Sequence, residues 1–196
     1  MNGSWMEEHP LGRAEWIKFI GAFFDKDKEA HRKFRNVESA YVKAAHQALD
    51  HQHKPTILSG SLYKDVWYVP GGDSFFAKIL QDAGTDYLWD TDNASGSIPL
   101  SFEAVLDKAQ NADLWLSAGG AKNLEDLIKL NKNYTVFDAV QHKNVYTESL
   151  TKGATGGILY YELGAMRPDL ILKDIIKIAH PEILPDHELF FFQKLP

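Results

Sequence analysis

The hydrophobic period of this chain changes once, at Pro55, and that change constrains the fold more than any other feature. Before it, apolar residues recur at helical spacing: Trp16, Ile17, Ile20, Phe23 and Phe24, then Ala30, Phe34, Val37, Tyr41, Ala44 and Ala48. Steps of three and four place each set on one helix face, so residues 11–49 read as helical. Asp25-Lys26-Asp27-Lys28 lies between the sets as a break or bend, with Pro10 before the start and His51-Gln52-His53-Lys54-Pro55 after the end. From Pro55 onward, short apolar runs alternate with helical segments. Residues 56–58, 86–89, 113–117, 135–139, 145–147 and 188–193 read as strands. Residues 74–82, 101–110, 124–130, 157–166 and 169–179 read as helices, with Asp73 and Ser101 as N-caps of the first two. Strands alternating with helices specify an α/β fold with a mainly parallel sheet flanked by helices. The expected division is a helical region over 1–54 and an α/β lobe over 55–196.

Charge and composition remove several function classes. The formal net charge is −6, and basic residues such as Lys26, Lys28, Arg32, Lys33 and Arg35 are interleaved with Asp25, Asp27 and Glu29. That mixture is a solvated helix face, so no nucleic-acid partner is expected. There is no cysteine, which rules out disulfides and thiolate chemistry. No apolar run approaches the roughly 18–20 residues that span a bilayer. The opening Met1-Asn2-Gly3-Ser4-Trp5-Met6-Glu7-Glu8 lacks a basic stretch followed by an apolar one, so no signal peptide is read in it.

Three segments carry candidate binding chemistry. Trp67-Tyr68-Val69-Pro70-Gly71-Gly72-Asp73-Ser74-Phe75-Phe76 reads as an aromatic, glycine-rich loop entering a helix. Gly71 and Gly72 there would let a ligand approach the backbone; a tight turn over a packed core is the alternative. Tyr87-Leu88-Trp89 precedes a polar stretch, and Trp89 is either a stacking platform or a packed rim residue. Gly153-Ala154-Thr155-Gly156-Gly157, followed by Tyr160-Tyr161-Glu162, is either a ligand-facing loop or a plain helix entry. Neither glycine cluster has dinucleotide or phosphate-loop spacing. His51 and His53 form the only close histidine pair and read as solvated linker residues, so no metal site is expected. His180 and His187 read as helix-end and loop residues. No nucleophile elbow and no His-Glu-x-x-His is present. The expectation is a binding protein, with two rivals: a small α/β enzyme using the loops at 70–74 and 153–157, or a self-associating structural module.

An ordered set of blocks carries a family resemblance. Glu7-Glu8-His9-Pro10-Leu11-Gly12-Arg13-Ala14-Glu15-Trp16-Ile17-Lys18-Phe19 resembles the opening of the interdomain helix in cobalamin and ferric-siderophore binding proteins of ABC importers, the TroA-like, helical-backbone family. The likeness continues through residues 67–74, Asp82-Ala83-Gly84, Leu100-Ser101-Phe102-Glu103, Ala112-Asp113, Arg167-Pro168-Asp169 and His180-Pro181-Glu182, in the family's order. It implies a long backbone helix followed by one Rossmann-like lobe, with the family's first lobe and its signal or lipid anchor expected to be missing. By resemblance, Trp67, Tyr68 and Trp89 form the aromatic wall of the second lobe, and Tyr160 and Tyr161 border the ligand cleft. Glu103 falls where the family docks a carboxylate into an arginine pocket of the membrane permease. The implied ligand is a ferric siderophore, haem or cobalamin, held outside the cytoplasm in a periplasmic or membrane-anchored protein. No cofactor of the protein's own is expected; iron or cobalt enters only as part of the cargo. A lone lobe exposes the surface meant for its partner lobe, so a homodimer is expected.

Overall fold

The computed structural model describes residues 3–4, 7–49 and 51–196. In chain order the elements are α1 (Pro10–Phe23), α2 (Asp27–Leu49), β1 (Thr56–Ser59), β2 (Ser61–Tyr63), β3 (Val66–Pro70), α3 (Phe75–Asp82), β4 (Asp86–Tyr87), β5 (Ser97–Leu100), α4 (Phe102–Ala109) and β6 (Leu114–Leu116). There follow α5 (Leu124–Leu130), a 3-10 turn (Lys132–Val136), α6 (Asp138–Gln141), β7 (Val145–Thr147), α7 (Leu159–Leu163), a second 3-10 turn (Gly164–Met166), α8 (Pro168–Ala179) and β8 (Gln193–Lys194).

A five-stranded sheet of order β4-β1-β6-β7-β8 forms the centre. Its first four strands are parallel, and β8 closes it antiparallel to β7. The apolar runs Ile57-Leu58 and Leu114-Trp115-Leu116 are buried throughout, as strands covered on both faces must be. The α/β fold with a mainly parallel sheet flanked by helices, read from the alternation of runs, is the fold the chain adopts.

The helical stretch of 11–49 does break at its charged middle. Asp25 takes a left-handed backbone (φ 54°), and α1 turns to pack against α2. The two cross tightly: a Cβ at Gly21 would lie 2.6 Å from Cβ of Ala30, and the Lys18 ammonium sits 4.1 Å above the Phe34 ring. Tyr41, Ala44 and Ala48 of α2 belong to the same hydrophobic core as the lobe. The core therefore runs through the 54/55 boundary.

Four local readings are corrected. Residues 135–139 are not a strand, because β6 pairs directly with β7 and leaves no place between them. Tyr134 and Phe137 instead drop from turns into the core. The last strand forms at Gln193–Lys194, not over 188–193, because the N–H groups of Phe190, Phe191 and Phe192 are taken by the Asp174 carboxylate. Ser74 caps α3 by accepting from the Ala77 N–H, while Asp73 pairs with Lys78 at 2.8 Å. Residues 67–70 are strand, not loop. They form the centre of a second, antiparallel sheet of order β2-β3-β5 that the sequence reading did not contain. Ser101 caps α4 as expected, accepting from the Ala104 N–H.

Candidate binding site at the carboxyl edge of the sheet

Strands β1, β6 and β7 run parallel and end at Ser59, Leu116 and Thr147. The crevice outside such carboxyl ends is where open α/β sheets hold ligands. Glu148 follows β7 directly and is 8% exposed. One of its carboxylate oxygens, Oε1, accepts from the Tyr161 hydroxyl at 2.6 Å. The other, Oε2, is buried with no hydrogen-bond partner among the described residues, and so is the hydroxyl of Ser59 at the end of β1. A carboxylate oxygen buried without a donor is costly, and such groups mark sites completed by something else.

The surroundings fix this carboxylate in place. Thr147 and Ser149 share a hydroxyl hydrogen bond of 2.8 Å, and the Gln193 amide donates to Ser149 at 2.6 Å, pinning the loop after β7. Tyr160 packs edge-on to Tyr161, Phe191 and Phe192 at 5.5, 5.6 and 5.8 Å between centroids. Burial raises the pKa of the Tyr160 hydroxyl, with Glu148 and Tyr161 adding to the rise and Arg13 opposing it. Burial and the hydrogen bond to Glu148 likewise raise that of Tyr161, so both phenols remain donors at neutral pH. The Arg13 guanidinium lies 4.7 Å over the Phe75 ring, and burial lowers its pKa. Aromatic faces beside a half-satisfied carboxylate can clasp a large ligand that brings its own donors.

A groove of 470 Å³ opens at the ends of β1 and β6, between the β2–β3 hairpin (Ser61, Tyr63, Lys64) and the turn at Gly119 and Gly120. A cavity of 540 Å³ lies apart from it, between α1, α2 and the start of α8 (Ala14, Phe34, Val37, Arg167). The smaller groove has the better claim to ligand, because it lies at the strand ends and the larger one does not.

The sequence-derived site residues separate into two groups. Tyr160 and Tyr161 are brought together with Glu148, and Tyr161 is 69% exposed. Tyr68 faces outward from β3 and is 43% exposed. Trp67 points the other way, as successive residues of a strand must. It is fully buried among Trp115, Tyr134, Phe137 and Phe102, so it offers no ligand a face. Trp89 is also buried, against Tyr87 and beneath the Lys108 ammonium. Gly71 and Gly72 do allow close approach, but by the chain itself. A Cβ on them would lie 2.2 Å from the Ala94 carbonyl oxygen and 2.3 Å from that of Asp90. The 153–157 loop closes on itself through the Gly153 N–H to Gly157 carbonyl bond of 2.8 Å. Glu103 stands exposed in the first turn of α4.

Glu148, Ser59 and Arg13 were missed. Glu148 had a readable signal, a carboxylate immediately after the strand-like Val145-Tyr146-Thr147. The histidine reading is also revised: His51 is not a free linker residue but packs on His180, ring centroids 4.4 Å apart.

Among the described residues no helix is long and apolar enough to cross a membrane. A family model described as periplasmic binding protein matches residues 4–148. The uncharacterized lipoproteins MJ0878 and MJ0872 of Methanocaldococcus jannaschii are 30% and 28% identical, each over 98% of this chain, and over 45% and 49% of their own lengths. The chain thus spans about half the length of the curated relatives it matches. Among solved structures, the TroA-like periplasmic binding protein FepB from Veillonella parvula superposes with a TM-score of 0.70 at 15% identity, over 95% of this chain and 62% of that one. IsdE of S. aureus, solved in complex with heme, gives 0.62 at 18% identity, over 88% and 65%. The TroA-like fold is shared with these proteins, and the matching family is one of substrate-binding proteins, not enzymes. On the match over 4–148, this chain belongs to the periplasmic binding protein family.

Proposed function

We propose that the chain forms the second lobe of the substrate-binding component of an ABC importer for a bulky metal chelate: a ferric siderophore, haem or cobalamin. The observation that carries this reading is the buried Glu148 carboxylate, held by Tyr161 at one oxygen and unpartnered at the other, at the carboxyl edge of a parallel sheet. Tyr161, Tyr160 and Tyr68 offer aromatic faces, while Trp67, Trp89, Gly71 and Gly72 serve the internal packing of the lobe. The named heme complex of IsdE, and the Ni(II) complex of Helicobacter pylori CeuE, support the ligand class. In this reading the protein works outside the cytoplasm, as the lipoprotein names of two relatives support.

The remaining contacts follow from the same reading. Phe19, Ile20, Phe23 and Phe24 expose an apolar stripe on and just beyond α1. In the complete protein that stripe packs on a first lobe, and α1 is the joining helix. In the chain alone the stripe drives homodimer formation. Glu103 docks on the permease through a charge-assisted hydrogen bond.

The test is an absorbance and fluorescence titration with haem, cyanocobalamin and a ferric siderophore. One of them is expected to saturate, with Glu148→Gln and Tyr161→Phe weakening it by about 10–100-fold, the worth of a hydrogen bond to a charged group. Glu103→Arg is expected to lower capture by the permease and leave chelate affinity unchanged. No saturable binding of any of the three, or binding indifferent to both site variants, overturns the reading.

A further inference from the structure

At the opposite end of the sheet, where β1 and β4 begin, three chain segments converge. His51 follows α2, Gly84 lies between α3 and β4, and His180 and Glu182 follow α8. We propose that His51, His180 and Glu182 form a binding site for a divalent transition cation of the zinc class, distinct from the ligand edge. One ligand atom from each of the three lies within 4.8 Å of the other two. A tetrahedral ion with bonds of about 2.0–2.1 Å holds its ligands roughly 3.4 Å apart, so small side-chain shifts complete the geometry.

The hydrogen bonds around the two imidazoles prepare them as ligands. His180 is buried, and its Nε2 lies 3.2 Å from the Gly84 carbonyl oxygen. A carbonyl can only accept, so Nε2 carries the proton. Nδ1 is then a bare lone pair, and it is buried with no hydrogen-bond partner among the described residues. An imidazole that donates one N–H to a backbone carbonyl and leaves the other nitrogen bare is the usual arrangement of a metal-bound histidine. His51 repeats it: Nδ1 lies 3.1 Å from the His53 carbonyl oxygen, which leaves Nε2 to face Glu182.

His51 Nε2 and Glu182 Oε1 are 2.7 Å apart. With Nδ1 protonated, the pair is two acceptors, and two acceptors at that distance need a cation between them. A proton on His51 satisfies only this pair and puts positive charge against the adjoining ring of His180. A divalent ion would take one donor from each residue, with Nδ1, the nitrogen of His180 left without a partner, assigned as that residue's ligand. The donor set of two imidazoles and one carboxylate suits zinc, cobalt or nickel better than calcium or magnesium, which prefer oxygen. Bound there, the ion would tie the end of α2 to the end of α8.

The experiment is titration of the whole chain with Co²⁺, followed by its visible d–d absorption, and competition by Zn²⁺. One equivalent is expected to bind, and Zn²⁺ is expected to raise the melting temperature. His51→Ala and Glu182→Gln lie outside the core and are each expected to weaken binding about tenfold or more with unchanged far-ultraviolet circular dichroism. Glu148→Gln should leave the cobalt spectrum unaltered, which separates this site from the chelate site. Absence of one-equivalent binding overturns the proposal. Undiminished affinity in either His51→Ala or Glu182→Gln overturns it as well.

Discussion

Replacing Asp174 by alanine is expected to destabilise the chain by about 3–5 kcal/mol, a large share of the roughly 5–15 kcal/mol that holds a protein folded. Asp174 is fully buried in the middle of α8. Its carboxylate accepts from the N–H groups of Phe190, Phe191 and Phe192, at 2.9, 2.6 and 3.1 Å for the closest contact of each. His187 Nε2 adds a fourth contact at 2.7 Å. One side chain thus holds the segment that carries Phe191 and Phe192 into the core. Alanine would leave three backbone donors at least partly buried without acceptors, and each such group loses far more than a solvated hydrogen bond is worth. Asp174→Asn keeps the shape and one acceptor but turns an N–H₂ toward those donors, so about half the loss is expected. Urea unfolding followed by circular dichroism reads both, and in a chain of this size the alanine variant should melt roughly 6–20 °C lower. A loss below 1 kcal/mol for alanine would mean that the C-terminal segment docks by its aromatic rings alone.

The sequence carried the parallel sheet better than it carried the site, for physical reasons that individual residues make plain. Strands covered on both faces are apolar throughout, so Ile57-Leu58 and Leu114-Trp115-Leu116 stood out, and Ser101 at a helix start announces its own cap. The antiparallel sheet β2-β3-β5 was hidden by its prolines. Pro70 ends β3 and Pro99 sits in β5, which pairs on one side only, where the missing N–H does no harm. Trp67 and Val69 are buried and Tyr68 is exposed, a strand's two-residue alternation that an uninterrupted run of large apolar side chains does not display in sequence. The tyrosine pair at 160 and 161 was legible as a doublet beside a loop. Glu148 was readable by itself as a carboxylate directly after a strand-like run, but its pairing with Tyr161 was not, because only the closing of the 149–158 loop brings the two together. His51 and His180 are likewise joined by the fold alone, the ends of α2 and α8 meeting where β1 and β4 begin. Local patterns report what a residue prefers, and these contacts depend on where remote elements stop.

Trp67→Ala is expected to lose about 3–5 kcal/mol of stability, with most of the loss coming from the cavity that replaces the indole. Trp67 is wholly buried, with the rings of Trp115, Tyr134, Phe137 and Phe102 at 5.2, 5.7, 5.7 and 6.3 Å between centroids. Those rings come from β6, the 3-10 turn at Lys132–Val136, the residue before α6, and α4, so the indole joins the small sheet to the large one. Its N–H also donates to the Ser59 carbonyl at 3.1 Å, while Trp115 donates to that of Gly60 at 2.8 Å. Two indoles therefore hold the turn that leaves β1 at the ligand edge. Trp67→Phe separates the contributions: it keeps most of the apolar area and frees one buried carbonyl, so about 1–3 kcal/mol is expected. The aromatic-wall reading and the core reading of Trp67 differ here in a measurable way. A core indole lowers the urea midpoint when changed to phenylalanine and leaves chelate affinity within about twofold, since no ring face is accessible to lose. A stacking indole would do the reverse, keeping its midpoint and losing affinity. The burial of Trp67 selects the first outcome, and an unchanged urea midpoint in Trp67→Phe would restore the second.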